Sequence, residues 1–274
     1  MLNKNNMEKK TAVVFLTKSP HKGTFDFAKK VAADTEFKVF VVVDEWLLLD
    51  EFGETEGVTQ IQIPDEICLS SGYHSTMTKD SVLNKNPIAW DKFVYYFCKI
   101  DTSFDFLWVF EDDVFVPSVD TIVNLHTKYG GYDLVTPNNF KREGNAMDWH
   151  WKHVIDKIDP PYHFSMVCAM GISKSVLKAI TEFVEAKNTL FFNEIMFNTL
   201  AMQNNLNVIA PLELKSIVWL GTWGIDEWLL LPNNVFHPLK DIDDHEAYRS
   251  TIESVRLTNY LPKNKLPLFI KDLM

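Results

Sequence analysis

The residues best equipped for chemistry are three consecutive acids, Glu111, Asp112 and Asp113, set inside the run Phe106–Pro117. Five apolar or aromatic residues, Phe106–Phe110, precede them in the pattern of a buried strand. Val114, Phe115 and Val116 follow, and Pro117 ends the strand-like pattern. Carboxylates enclosed by apolar side chains are costly to desolvate unless a cation meets them. A divalent metal at the carboxyl end of a central strand would meet that need, and such ends are where open α/β sheets bind ligands. An acidic strand-to-loop turn facing water is the alternative. The flanking aromatics favour the metal.

The elements that must position these acids follow from periodicity. Thr11–Leu16 reads as a strand, Thr24–Thr35 as a helix with Phe27, Ala28, Val31 and Ala32 on one face, and Phe37–Val43 as a second strand ending at Asp44 and Glu45. This order predicts the opening of a nucleotide-binding α/β half. A glycine-rich phosphate loop is missing, which weakens dinucleotide and P-loop readings alike. Val58–Ile63 alternates as a third strand, and Asn86-Pro87 starts a helix to Ile100 whose stripe is Trp90, Phe93, Val94 and Phe97. Beyond the acids come a helix over Val119–Thr127, a strand over Asp133–Thr136, an apolar run over Phe164–Ile172, and a helix over Lys174–Ala186 capped by Ser173. A further helix opens at Phe191–Glu194, and late strands fall at Asn207–Pro211 and Ser216–Leu220. Trp149 and Trp151, with His150 and His153, form an aromatic cluster whose rings could stack on a sugar or base or simply pack. Trp219, Trp223 and Trp228 beside Gly221 and Gly224 suggest an acceptor-side loop or a lid.

Composition narrows the function. The 274 residues are 46% hydrophobic and 13% aromatic, enough for a substantial core, and carry a formal charge of −10. Nucleic acid is a poor partner for such a chain, because backbone phosphates need Lys and Arg. Cys68, Cys98 and Cys168 are odd in number and widely spaced, which argues against a disulfide framework or a zinc site and for a reducing compartment. Met1–Lys10 lacks an apolar signal core, and no run approaches the length of a membrane span, so a cytoplasmic protein is expected.

The stretch Phe110–Val116 resembles the DxD motif of GT-A glycosyltransferases, nearest to the Asp-Asp-Asp-Val-Phe-Val of the β-1,3-galactosyltransferase-like families, with Glu111 in place of the first Asp. The resemblance spans most of Thr11–Lys240 as spaced landmarks. It implies a nucleotide-sugar donor held through Mn²⁺ or Mg²⁺ by Asp113 with Asp112 or Glu111, and His237 in Val235–Lys240 as the late histidine that completes the metal's shell. Thr17 and Lys18 at the first strand's end, and Asp44 at the second, would contact the nucleotide. Ala89-Trp90-Asp91-Lys92 resembles a segment beside the donor, which would bring Lys92 to a diphosphate, and Lys240 would lie near it too. Gly171 matches a glycine-containing strand that passes close to the donor sugar, and Glu194 takes the place of the catalytic carboxylate. For Lys92, Gly171 and Glu194, a surface charge, a strand-end turn and a helix-dipole acid are the plain alternatives.

These implications assemble into one α/β domain of GT-A, Rossmann-like type, with a mixed, mainly parallel sheet between helices. Residues 11–117 would bind nucleotide, 118–240 would shape the acceptor pocket with Trp149, Trp151 and Trp223, 1–10 would be a flexible terminus, and 241–274 an appendage. The expected reaction is hexosyl transfer from a nucleotide diphosphate sugar, with the resemblance leaning to UDP, onto a glycan or other hydroxyl acceptor. Glu194 as general base predicts inversion at the anomeric carbon; retention follows if Glu194 is only structural. A nucleotidyltransferase forming the activated sugar and a catalytically silent nucleotide-sugar-binding module stay open.

Overall fold

The computed structural model describes residues 10–45, 56–75, 86–142, 151 and 154–257. Strand β1 (Thr11–Thr17) leads through helix α1 (Lys22–Asp34) to β2 (Lys38–Val43) and β3 (Val58–Ile61), followed by α2 (Asp65–Ser70) and α3 (Ala89–Tyr95). Next come β4 (Phe106–Glu111), α4 (Val119–Tyr129), β5 (Leu134–Val135), β6 (Phe140–Lys141), β7 (His163–Phe164) and β8 (Ala169–Ser173). The chain continues through α5 (Lys174–Lys187), α6 (Asn193–Gln203), β9 (Val208–Ile209), α7 (Ile225–Leu230) and α8 (His245–Leu257).

Seven strands form one sheet in the order β3-β2-β1-β4-β8-β5-β9. Its pairings are parallel except where β8 runs antiparallel between β4 and β5. This is the mixed, mainly parallel α/β architecture expected from the sequence. Both faces of the central strands are covered, which is why β1, β2 and β4 read as nearly unbroken apolar runs. Val14, Leu16, Leu107 and Val109 pack with Phe93, Phe97, Ile195 and Phe197 on one face. Val13, Phe15, Trp108 and Phe110 pack with Phe25, Phe27 and Ile122 on the other.

Strand order reverses between β1 and β4, both parallel, so the crevice outside their carboxyl ends is the topological switch point where such sheets bind ligands. Register sets the approach: Leu16 pairs with Glu111 and Thr17 with Val43. Because β8 is antiparallel, its amino end arrives at the same edge, and Cys168 O accepts from Glu111 N at 2.8 Å.

Some boundaries differ from the sequence reading. The helix expected from Pro87 begins at Ala89, because Asp91 serves as its cap and accepts from Ile88 N at 3.0 Å and Ser75 N at 2.9 Å. The apolar run Phe164–Ile172 divides between β7 and β8, and only Ile217 of the expected strand Ser216–Leu220 makes a bridge, to His237. Helix α8 lies in the segment expected as an appendage. In its described part, Ile252 and Tyr248 join Phe115, Trp228 and Phe236 in a third apolar cluster. Arg249 is buried there, with its guanidinium 3.6 Å from the Phe27 ring centroid and Nε donating to Val116 O at 2.9 Å. Cys68, Cys98 and Cys168 are free thiols, all buried. Among the described residues, no helix is long and apolar enough to cross a membrane.

Candidate active site

The three acids turn sharply off β4, with Val114 N donating to Glu111 O at 3.0 Å, and each side chain meets a different partner. Glu111 Oε1 accepts from Trp90 Nε1 of α3 at 2.6 Å. Asp112 Oδ2 accepts from the Thr17 hydroxyl at 2.6 Å. Asp113 Oδ2 lies 3.4 Å from His237 Nε2 and is also paired with Lys240 Nζ. Burial raises the pKa of Glu111 and of Asp112, only partly offset by these hydrogen bonds. Burial would raise Asp113 too, but His237 and Lys240 outweigh it and hold the carboxyl below its ordinary value.

Residues over 120 positions apart in sequence meet here for a backbone reason. Phe115 and Phe236 exchange both hydrogen bonds of a bridge, at 2.8 and 3.0 Å, and Leu239 N donates to Asp113 O at 2.8 Å. That bridge lays the segment 236–240 against the turn that carries the acids. His237 is fixed further by Nδ1 donating to Val218 O at 2.8 Å, which leaves Nε2 facing Asp113. The imidazole pKa is lowered by burial but raised more by Asp113, so it stands above its ordinary value.

Glu194 lies in the first turn of α6. Its backbone O accepts from Ser165 N at 2.9 Å, which anchors the helix start to the chain entering β8. Burial first, and repulsion from Glu111 second, push its pKa up to about 7 against the opposing pull of His237. Glu194 thus shares one electrostatic field with Glu111 and His237.

A cleft of about 250 Å³ opens over this end of the sheet between Thr17-Lys18, Ile88–Trp90 and the acids. At the end of β2 it borders a larger hollow of about 520 Å³ edged by Asp44, Glu45, Asp65, Glu66 and Lys92. Thr17, Lys18, Asp44, Glu111, Asp112 and Asp113 all line the first cleft. Lys18 is largely exposed, 3.7 Å from Glu45.

Other expected positions differ. Lys92 does not stand on a helix surface: its side chain is 4% exposed and holds Asp44 Oδ1 at 2.8 Å and Asp65 Oδ1 at 2.9 Å. Burial lowers its pKa, but the two carboxylates more than compensate and it stays cationic. Lys240 reaches Asp113 itself. Gly171 lies opposite Trp108, part-way down the sheet, and an added Cβ would sit 2.6 Å from Phe106 Cζ and 3.1 Å from Trp108 Cζ3. The glycine is required by ring packing, and the site end of β8 is Cys168-Ala169 instead. Trp151 belongs to the core, edge-on to Phe164 and under the Arg142 guanidinium. Trp223 is buried and supports the histidine, its Nε1 donating to His237 O at 2.9 Å. Trp149 lies outside the described residues.

Sequence reasoning missed Cys168, Trp90 and Asp65. Cys168 Sγ, a Glu111 oxygen and a His237 nitrogen lie within 4.8 Å of one another. No spacing signal could have found the cysteine, because only the antiparallel run of β8 carries it to the acids.

The donor set suits a divalent ion. Asp113 Oδ1 is buried with no hydrogen-bond partner, and carboxylates with an imidazole are ligands that first-row divalent metals accept. Lys240, exposed over most of its side chain, could swing away to admit one.

The sequence matches no family model, and no curated protein either. Among solved structures the chain is similar to a "putative nucleotide-diphospho-sugar transferase" from Desulfovibrio desulfuricans G20, with 10% identity, a TM-score of 0.34 and coverage of 73% of this chain and 79% of that one.

Proposed function

We propose that this protein is a metal-dependent glycosyltransferase of the GT-A type, which moves a hexosyl group from a nucleotide diphosphate sugar, UDP-linked by preference, onto an acceptor hydroxyl. The observation that carries the reading is convergence: Glu111, Asp112 and Asp113 line the cleft at the switch point of the sheet, His237 and Lys240 pair with Asp113 from more than 120 positions away, and the Glu194 carboxyl feels the charges of Glu111 and His237. The amino-terminal half then offers the nucleotide a hollow at the ends of β1 and β2, and the half after the acids supplies base and acceptor side. Three free, buried thiols support a reducing, cytosolic setting.

In this reading Asp112, Asp113 and His237 hold Mn²⁺ or Mg²⁺. When bound, that ion supplies Lewis-acid neutralisation of charge developing on the departing diphosphate. Thr17 orients Asp112, and Val218 O fixes the tautomer that turns His237 Nε2 inward. Glu194 accepts the proton of the acceptor hydroxyl at a carboxylate oxygen, and attack from the face opposite the leaving group inverts the anomeric carbon. A carboxyl that titrates near 7 is well matched to that task at neutral pH.

A second reading has a specific observation behind it. Lys240 already pairs with Asp113, so its ammonium could neutralise a diphosphate without an ion. Calorimetric titration of UDP with and without Mn²⁺ separates the two. Metal dependence predicts that chelation or Asp113→Asn weakens UDP binding and that His237→Ala weakens Mn²⁺ binding with little change in folding. Equal UDP affinity after chelation would reject the metal and leave Lys240.

A further inference from the structure

The centre contains one ligand atom that a site built for hard ions does not need. Cys168 is buried at the entry to β8. Its sulfur, a Glu111 oxygen and a His237 nitrogen lie within 4.8 Å of one another. Zinc bonds of about 2.0–2.3 Å place tetrahedral ligand atoms roughly 3.3–3.8 Å apart, so side-chain adjustments of an ångström or less would close the set. A second observation points into the same place. Asp113, only 8% exposed, carries Oδ1 with no hydrogen-bond partner, on the carboxylate whose other oxygen is 3.4 Å from His237 Nε2.

We propose that Glu111, Cys168 and His237 form a binding site for a thiophilic divalent ion, zinc in the cell, within the candidate active site. Three protein ligands of mixed oxygen, sulfur and nitrogen type with a fourth position open is a coordination set that zinc accepts and that Mg²⁺ does not favour. Binding is balanced by release of the Cys168 proton to solvent, since the thiolate is the ligand. His237 has one inward nitrogen, and Val218 O occupies the other. An ion on the cysteine set therefore excludes an ion held by Asp112, Asp113 and His237, so zinc competes with manganese. The inference rests on the reading of this cleft as a metal centre and is independent of the transfer reaction. The plain alternative is a buried thiol that only packs.

Cobalt tests it without any activity assay. Co²⁺ added to the metal-free full-length protein should give a near-ultraviolet thiolate-to-metal charge-transfer band that saturates at one equivalent and is displaced by Zn²⁺. Cys168→Ser should abolish the band and weaken Zn²⁺ binding by at least about 100-fold, a loss larger than is usual for an outer-shell change. Cys68→Ser and Cys98→Ser should keep it. Cys168→Ala, with circular dichroism to verify folding, guards against a serine-specific defect. Co²⁺ binding without the band, or a band that survives in both Cys168 variants, overturns the cysteine ligand and leaves the carboxylate–imidazole centre standing. No Co²⁺ binding at all overturns both this inference and the metal-dependent reading.

Discussion

Glu194→Gln should lose about 10²–10⁴-fold in transfer rate and, at pH 8, melt at a higher temperature than the wild type. The two effects have one cause. The folded-state pKa of Glu194 is about 7, raised first by burial and then by Glu111, against roughly 4.3 for an unfolded Glu. Between those values the native state binds more protons than the unfolded chain, so this group's contribution to stability falls as pH rises through the window. Above pH 7 the carboxylate is ionised in a half-buried place, at a cost on the order of 2–3 kcal/mol, and Gln removes that cost with the shape preserved. The rate moves the opposite way, because a base must be ionised: wild-type transfer should fall as pH drops below about 7. UDP affinity should survive the substitution. If Glu194 only favours the start of α6, the variant would instead be less stable by ~0.3–1 kcal/mol with unchanged turnover. Melting temperature, UDP affinity and transfer rate measured together at pH 6 and pH 8 decide between them.

Lys92→Met should be the most destabilising single change near the hollow at the end of β2, by about 2–4 kcal/mol at pH 7. Lys92 is nearly fully buried and is the cation for both Asp44 and Asp65. Methionine fills similar volume but leaves Asp44, most of which is also buried, without its counter-charge. Asp44 already has its pKa raised by burial, with Lys92 pulling the other way, so loss of the lysine must raise it further. The damage should therefore grow with pH and fade in acid, where Asp44 takes a proton. Denaturant unfolding of both proteins at pH 5 and pH 8 checks this. If Lys92 were chiefly a diphosphate ligand, the variant would unfold like wild type and lose donor affinity alone.

The sheet was legible because its strands are covered on both sides: Thr11–Leu16, Phe37–Val43 and Phe106–Phe110 advertise themselves as apolar runs, and β1, β2 and β4 lie within a residue or so of them. The acids were legible for the same reason, since Glu111–Asp113 interrupt such a run. What could not be read was which way side chains turn at the ends of elements. Lys92 read as a diphosphate ligand or a helix-surface charge because its two acidic partners come from β2's end and α2, elements with no local relation to it. Gly171 looked like a place for ligand because nothing in the sequence reveals that Phe106 and Trp108 fill the space above it. Cys168 was set aside by a rule about cysteine spacing, and that rule has no view of an antiparallel neighbour.

Helix α8 holds both segments that flank Asp113 at once. Arg249 Nε binds Val116 O, three residues beyond Asp113, and His245 Nε2 meets Leu239 O at 3.0 Å, between His237 and Lys240. The two chain segments that must stay in register around Asp113 are thus fastened to one helix. If an ion held there is coupled to the helix, reciprocity follows: whatever stabilises α8 tightens the ion, and the ion stabilises α8 against opening by the same free energy. Amide hydrogen exchange over 245–257 would reveal this. Protection that rises with Mn²⁺ or Zn²⁺ would make α8 a remote handle on the centre, and exchange indifferent to either ion would show the two to be uncoupled.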